Sequence, residues 1–588
     1  MNTIQEDVTR SAPKVTTVSK PRPMALKKFL AAGVGRFVMN EMKNEGVSKC
    51  LKTIGGSIKK KELAFSPERT LGEELETRAE RLRNKTFLSF EGQKISYSQL
   101  NNSAANVAQF MMNNGVKEGD SVGLLMPNIP AFLQVFFATQ RMGACAVPTN
   151  TSLKDEGLAH IFNNAGITML FTVASLLPEV ERIKDKIEEK VQVVLVPEFE
   201  NESADAALDS IEYTPYQQAL LTTSKTLAKT DIAPDTTSML MYTSGTTGLP
   251  KGVVYPYGTS QAKMLRVLAH LLVKEGDIYY TCLPLFHANA LMVTVVSSLY
   301  ANAQVVLSRK FSARNFWTEI RKSEATVVNT LGTMIAILMK QPEHPLDGVH
   351  NIRRVVSAAC PADLWQGFEA RFNVKLTESF GAVDGGGITT MNVGNAPIGS
   401  IGKPLGKTKW RLVDAQGTDV PNGEPGELIH YVGQTKRGQV TYHNNDKASA
   451  DKTRDGWVFS GDLLRADENG FLYFVGRNTD SMRCSGENIS ALEVETAINK
   501  YDQVLESAAY AIPSELAEDD VMVAVQAKDG VTVEPEKLHE FVKNKLPKFA
   551  WPKYIRIVEQ LPKTETHRIV KHILKKEGVT ADTWVASK

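Results

Sequence analysis

The run Met241–Tyr255, MYTSGTTGLPKGVVY, sets three glycines, a proline, four serine or threonine residues and one lysine between apolar flanks. Glycines let a backbone approach an anion closely, and amides and hydroxyls donate to its oxygens. Thr243, Ser244, Gly245, Thr246, Thr247 and Gly248 therefore have the makings of a phosphate cradle, with Lys251 adding charge. The pattern is not the Walker loop, which needs Gly, four residues, then Gly-Lys-Ser/Thr. Pro250 stands in the place of the second glycine, and Gly252 follows the lysine.

Four further segments carry groups that could do chemistry. They are PLFHANAL at 284–291 around His287, ESFGAVDGG at 378–386, SGDL at 460–463 with Asp462, and GENIS at 486–490. A basic tail, KTETHRIVK at 563–571, follows. No second histidine or carboxylate is spaced from His287 to suggest a metal pair, so it reads either as a gate beside a cavity or as a satisfied core histidine.

The elements that must position these groups are short apolar runs alternating with helical stretches. SVGLLMP, CAVPT, ITMLFTV, VQVVLVP, AQVVLS, ATVVNTL and IRRVVSAA are each bounded by turn residues, and SQLNNSAANVAQFMMNNG has helical periodicity between them. The alternation predicts an α/β chain with mostly parallel strands. Near Lys407 the texture changes. WRLVDAQGTDVPNGEPGELIHYVG predicts strands broken by Asn-Gly and Pro-Gly turns, a β-rich subdomain. After GFLYFVGR a small unit follows, with helices at ALEVETAINKY and PEKLHEFVKNKL and strands at SAAYAIP and VMVAVQA.

The expected organisation is an N-terminal extension over 1–65, a large domain of α/β layers with a β-rich subdomain over 66–476, and a small α+β domain over 477–588. A hinge is placed near Gly476 to Asp480. In the extension, polar residues ending in KPRP precede MALKKFLAAGVGRFVMNEMKNEG, where Leu26, Leu30, Val34, Phe37, Val38 and Met42 recur at helical spacing beside lysines and arginine. A basic amphipathic helix of this kind can lie in a membrane interface or dock on its own protein.

Totals exclude several classes. At 588 residues the chain exceeds what one core supports, and 42% hydrophobic with 23% charged residues is the composition of a globular protein. With 68 basic and 66 acidic residues, nothing global recommends nucleic acid as a partner. Five widely spaced cysteines without a Cys-x-x-Cys pair read as reduced thiols, and no run is long and apolar enough to span a bilayer; the expectation is a cytoplasmic protein, with peripheral membrane contact through the basic helix as the alternative to its docking on the protein.

YTSGTTGLPKG resembles the signature loop of the adenylate-forming superfamily, which includes acyl-CoA synthetases, luciferases and peptide-synthetase adenylation domains. The other segments follow in that superfamily's order, from about Leu71 to Leu574. The resemblance implies ATP, Mg²⁺ and CoA. A carboxylate attacks the α-phosphate of ATP, pyrophosphate leaves, and a thiol then displaces AMP from the acyl-adenylate. It also implies that the small domain swings about the hinge between the two steps.

On that resemblance Thr243–Gly248 and Lys251 cradle the β- and γ-phosphates, Phe380 stacks on adenine beside Gly381, and Ala358 and Ala359 line the same pocket. Asp384 stands where a glutamate usually holds Mg²⁺, and Val383 replaces a threonine whose hydroxyl meets the α-phosphate. Asp462 and Arg477 hold the ribose, His287 gates the acyl and pantetheine paths, and Gly486 and Glu487 line the pantetheine tunnel. The terminal motif usually places a lysine where this chain has Arg568, and Lys571 is the alternative donor.

FSARNFWTEIRKSEATVVNTL, SAACPADLWQGFEARF and MRCSGENISALEVE look most like fatty-acid transport protein type long-chain acyl-CoA synthetases and crotonobetaine/carnitine CoA ligases. The expectation is a ligase for a medium- or long-chain fatty acid. The alternatives are a betaine-type or aryl acid, or a protein without catalysis that binds ATP or acyl-adenylate as a sensor. Peptide-synthetase adenylation is the lesser expectation, since no carrier domain follows the terminal motif, with a carrier in trans left open.

Overall fold

A computed structural model describes residues 69–587 apart from 200–210, 224–231, 244–248, 259–271, 406–407, 436–437, 478–480, 485–486, 515–517, 563–568 and positions 388, 395, 415 and 570. The amphipathic N-terminal segment, most of the cradle loop, the hinge positions Asn478–Asp480, Gly486 and Arg568 lie outside the described residues.

The predicted strands form, but in two sheets. Ser121–Leu125, Cys145–Pro148, Ile167–Val173 and Gln192–Val196 run parallel in a seven-stranded sheet. Gln304–Leu307, Val327–Leu331 and Arg354–Ala358 belong to a nine-stranded sheet, whose six central strands are parallel and whose edges are antiparallel. Their apolar runs are continuous because helices cover both faces of such sheets; Ile167–Val173 is buried at every position but one. Helices Leu71–Leu82 and Tyr97–Asn113 each begin with a capping box, Thr70 with Glu73 and Ser96 with Gln99, which satisfies two end amides reciprocally.

The strand Thr237–Thr243 turns back antiparallel on Lys251–Pro256, so Thr243 and Lys251 face each other across the hairpin. Lys251–Pro256 is itself an edge strand of the seven-stranded sheet. A five-stranded sheet carries the β-rich subdomain, built on Trp410–Val413, Gly426–Tyr431 and Trp457–Ala466. The small C-terminal domain has its own core, in which Val494, Ile498, Val523, Leu538 and Val542 pack together around the sheet Val504–Pro513, Asp519–Ala527 and Tyr554–Val558. The predicted helices appear at Ala491–Ile498 and Pro535–Lys543.

One element has no counterpart in the periodicity. Asn289–Val296, directly after His287, is a π-helix, a wider coil associated with functional sites. The buried strand residue Asn329 donates to Asn289 Oδ1 and Thr294 Oγ1, both at 2.9 Å.

Candidate active site

One cavity of about 1290 Å³ gathers most of the residues singled out in the sequence. Thr243, Lys251, His287, Ala358, Ala359, Phe380, Gly381, Asp384, Asp462 and Glu487 all line it. Nothing in sequence spacing brings these together; the C-terminal ends of the two parallel sheets and the β-rich subdomain do, as expected for ligand sites in α/β proteins.

Asp462 lies not in a surface turn but within the strand Trp457–Ala466, with only 3% of its surface exposed. Gly461 before it takes φ +81°, a left-handed conformation that favours glycine, and donates its N–H to Glu427 Oε1 at 2.9 Å. That irregularity presents Asp462 to the cavity. Arg477 is its cross-strand partner in the backbone register.

Ala358 and Ala359 form a turn against the start of a helix. Ala359 has φ +63°, and a Cβ on Gly332 would stand 1.9 Å from the Ala359 carbonyl oxygen. Glu378, only 2% exposed, accepts the Cys360 N–H with both carboxylate oxygens at 3.3 and 3.2 Å and so holds this turn. Burial pushes the Glu378 carboxyl up to about 7. Phe380 tilts at 38° to Phe474 with ring centres 6.3 Å apart, and both rings line the cavity.

Glu487, on the hairpin strand Glu487–Ser490, reaches back to the large domain. Its Oε1 lies 2.7 Å from His287 Nε2, and its Oε2 accepts from Asn150 Nδ2 at 3.3 Å. Glu487 therefore faces the cavity. Lys571 does not line it; its Nζ pairs with Glu495 Oε1 of the small domain at 2.8 Å.

Asp384 departs from its expected part as a Mg²⁺ ligand. Its Oδ2 accepts the Tyr442 hydroxyl at 2.5 Å and pairs with Lys452 Nζ at 3.1 Å. A magnesium ion needs an open carboxylate oxygen at roughly 2.0–2.1 Å, and here a phenol proton and an ammonium already crowd that oxygen. Among the described residues no group of three or more His, Cys, Asp or Glu is arranged to hold a metal. Oδ2 of Asp384 is therefore not open to the ion in this arrangement.

Sequence reasoning missed Tyr442, Lys452, Tyr255 and Asn150. Tyr442 is the hub: its ring lies 5.4 Å from Lys251 Nζ and its hydroxyl binds Asp384. Tyr255 donates to the Val383 carbonyl at 2.7 Å and fixes the backbone beside Asp384. Of these four only Tyr255 sits in a patterned segment, at the end of the run Met241–Tyr255, and nothing there marks it for this contact. Glu378 stands inside ESFGAVDGG, so its place, though not its function, was visible.

Known proteins now bear on the geometry. The profile described as AMP-binding enzyme matches residues 75–435, and that of the AMP-binding enzyme C-terminal domain matches 493–568. The chain belongs to the AMP-binding enzyme family, as an acyl-CoA synthetase of the adenylate-forming superfamily. It is 28% identical to the crotonobetaine/carnitine–CoA ligase of Salmonella paratyphi B over 514 residues, 84% of this chain and 96% of that protein. It is 30% identical to the human long-chain fatty acid transport protein 6 over 531 residues, 85% and 84% of the two chains. In fold it is similar to a double mutant of the o-succinylbenzoate CoA synthetase of Bacillus subtilis, with a TM-score of 0.71, 22% identity and coverage of 86% of this chain and 98% of the other.

Proposed function

We propose that the protein activates a medium- or long-chain fatty acid as its acyl-adenylate and transfers the acyl group to CoA. The observation that carries this reading is the single cavity onto which Lys251, Asp462 and the His287–Glu487 pair converge. Its volume of about 1290 Å³ exceeds the roughly 300–1,000 Å³ typical of a site for one small molecule, in keeping with a nucleotide, an acyl group and a thiol arm meeting there.

In the first step a carboxylate oxygen bonds to the α-phosphorus, the bond to the β-phosphate bridge breaks and pyrophosphate leaves. Repulsion between the anions is the obstacle, and fixed positive charge and donors lower it. Lys251 and the cradle loop serve the nucleotide phosphates, Asp462 accepts from the ribose hydroxyls, and the Ala358–Ala359 turn with Phe380 flanks the base. Arg568, on the terminal motif, is the cation assigned to the carboxylate and α-phosphate when the small domain turns inward, with Lys571 the second candidate. In the second step the thiol sulfur bonds to the acyl carbon and AMP leaves with the bridging oxygen. With Glu487 ionised, His287 Nε2 donates to it and Nδ1 remains the acceptor, which suits the imidazole to take the thiol proton.

For the acid, two observations favour an alkyl chain. The cavity lining includes Leu283, Met292, Leu331, Met334 and Ile337, apolar side chains that suit an alkyl chain. The similarity to a long-chain fatty acid transport protein extends over 85% of the chain. The similarity to a crotonobetaine/carnitine–CoA ligase supports the second reading, a small betaine-type acid.

The test is CoA-dependent release of AMP and pyrophosphate with acids from acetate to palmitate, plus carnitine, crotonobetaine and benzoate. Turnover rising with chain length supports the fatty-acid reading, and turnover with crotonobetaine alone replaces it. ATP binding without turnover of any acid favours the sensor. Membrane contact through the basic segment before Lys61 is read by liposome co-sedimentation with and without residues 1–61. Among the described residues no helix is long and apolar enough to cross a membrane.

A further inference from the structure

The polar wall of the cavity contains a chain of contacts that no sequence motif marks. Lys251 stands over the Tyr442 ring, the Tyr442 hydroxyl donates to Asp384 Oδ2 at 2.5 Å, and Lys452 Nζ lies 3.1 Å from that same oxygen. Lys452 also donates to the Ser460 carbonyl at 3.0 Å, two residues before Asp462. Its side chain is 12% exposed, against 23% for Arg309 and 35% for Arg483, two other cations on this cavity.

This placement is built rather than incidental. Lys452 ends the helix Asp446–Lys452, whose N-cap Asn445 accepts the Ala448 N–H. Ser449 of that helix binds the backbone of Tyr442, fixing phenol and ammonium relative to each other. Burial and the Asp384 carboxylate both push the Tyr442 phenol above its ordinary value, so it keeps the proton it donates. An ammonium has three donors. Ser460 takes one by a hydrogen bond and Asp384 pairs with the charge at 3.1 Å, which leaves a donor on a group that lines the cavity.

We propose that Lys452, rather than a divalent metal ion, is the cation at Asp384, and that its remaining donor binds a phosphate oxygen of the nucleotide. Tyr442 and Asp384 act as positioning residues that hold the ammonium. Metal ion then enters on the nucleotide phosphates and needs no carboxylate at 384. This rests on the reading of the cavity as a nucleotide site.

The test uses the full chain and binding measurements that do not require the acid to be known. Mn²⁺ binding is followed by electron paramagnetic resonance in wild type and Asp384→Asn, with and without α,β-methylene-ATP. Equal Mn²⁺ stoichiometry in the two proteins is expected; loss of one Mn²⁺ in Asp384→Asn overturns the proposal. Affinity for α,β-methylene-ATP without metal is measured calorimetrically in wild type, Lys452→Met, Lys452→Gln and Lys452→Arg. Loss of a charge-assisted hydrogen bond predicts a fall of roughly tenfold or more in the Met and Gln variants, with partial recovery in Arg. Unchanged affinity in a folded Met or Gln variant overturns the proposal, and the Mn²⁺ comparison decides the matter if both misfold. A wild-type protein that binds no α,β-methylene-ATP overturns instead the reading on which the proposal rests.

Discussion

His287 Nε2 and Glu487 Oε1 lie 2.7 Å apart although 200 positions separate them in the chain. The pair joins the segment before the π-helix of the large domain to a hairpin of the small one, and Asn150 holds the second oxygen of the carboxylate. Lys571 is meanwhile engaged with Glu495 inside the small domain. The arrangement brings Glu487 of the small domain to the cavity, where it serves thioester formation on the proposed mechanism.

The pair should therefore matter to one half-reaction more than to the other. His287→Ala and Glu487→Gln are each expected to slow transfer from a preformed acyl-adenylate to CoA by roughly tenfold or more, the scale of a lost charge-assisted hydrogen bond. Acid-dependent pyrophosphate exchange should stay near the wild-type rate. Equal losses in both assays would remove the pair from the thiol step.

Asp462 is buried at the cavity wall and held there by the left-handed turn at Gly461. Asp462→Asn keeps the shape and removes the charge that accepts from two hydroxyls. The KM for ATP is expected to rise roughly tenfold, with little change in the KM for CoA; steady-state kinetics with each substrate varied distinguishes the two, and an unmoved KM for ATP rules out the ribose contact.

Glu378 ties stability to pH. Burial holds its carboxyl at about 7 against an ordinary 4.5, so between those values the folded protein keeps a proton that the unfolded chain has lost. Stability from this group is full below 4.5, falls as pH rises towards 7, and is level above, a change on the order of 3 kcal/mol. Glu493, also pushed up to about 7 by burial, acts with the same sign. Glu378→Gln should flatten the wild-type decline in denaturation midpoint between pH 5 and 8 without abolishing it; parallel curves for the two proteins would contradict the assignment.

Gly332 is required by close approach. A methyl group there would stand 1.9 Å from the Ala359 carbonyl oxygen and 2.8 Å from its carbon, both backbone atoms. Gly332→Ala should cost about 1–3 kcal/mol in chemical denaturation, the scale of an overpacked core. Because the displaced turn lines the cavity, binding of AMP should weaken in the same variant; a stable variant with normal AMP binding would show that the turn yields without consequence.

Much of the architecture was legible in the chain. Parallel strands buried on both faces leave continuous apolar runs, and capping residues and Asn-Gly turns mark their own boundaries, because these signals depend on neighbours a few positions away. Thr243, Lys251, Phe380, Asp384 and Asp462 were placed by short patterned segments for the same reason, and all five meet at the cavity. The partition of the strands into two sheets was not legible, since an apolar run does not record which sheet receives it.

What only the tertiary structure decided are the pairs that cross large distances in the chain. Tyr442 and Asp384 are 58 positions apart. Neither Tyr442 nor Lys452 lies in a run whose composition sets it off, so their meeting at one oxygen follows from how a short helix packs against the β-rich subdomain. The sequence by itself determined which groups could carry the chemistry. Packing determined their partners, because the charge next to a carboxylate depends on the path of the folded backbone and not on its spacing.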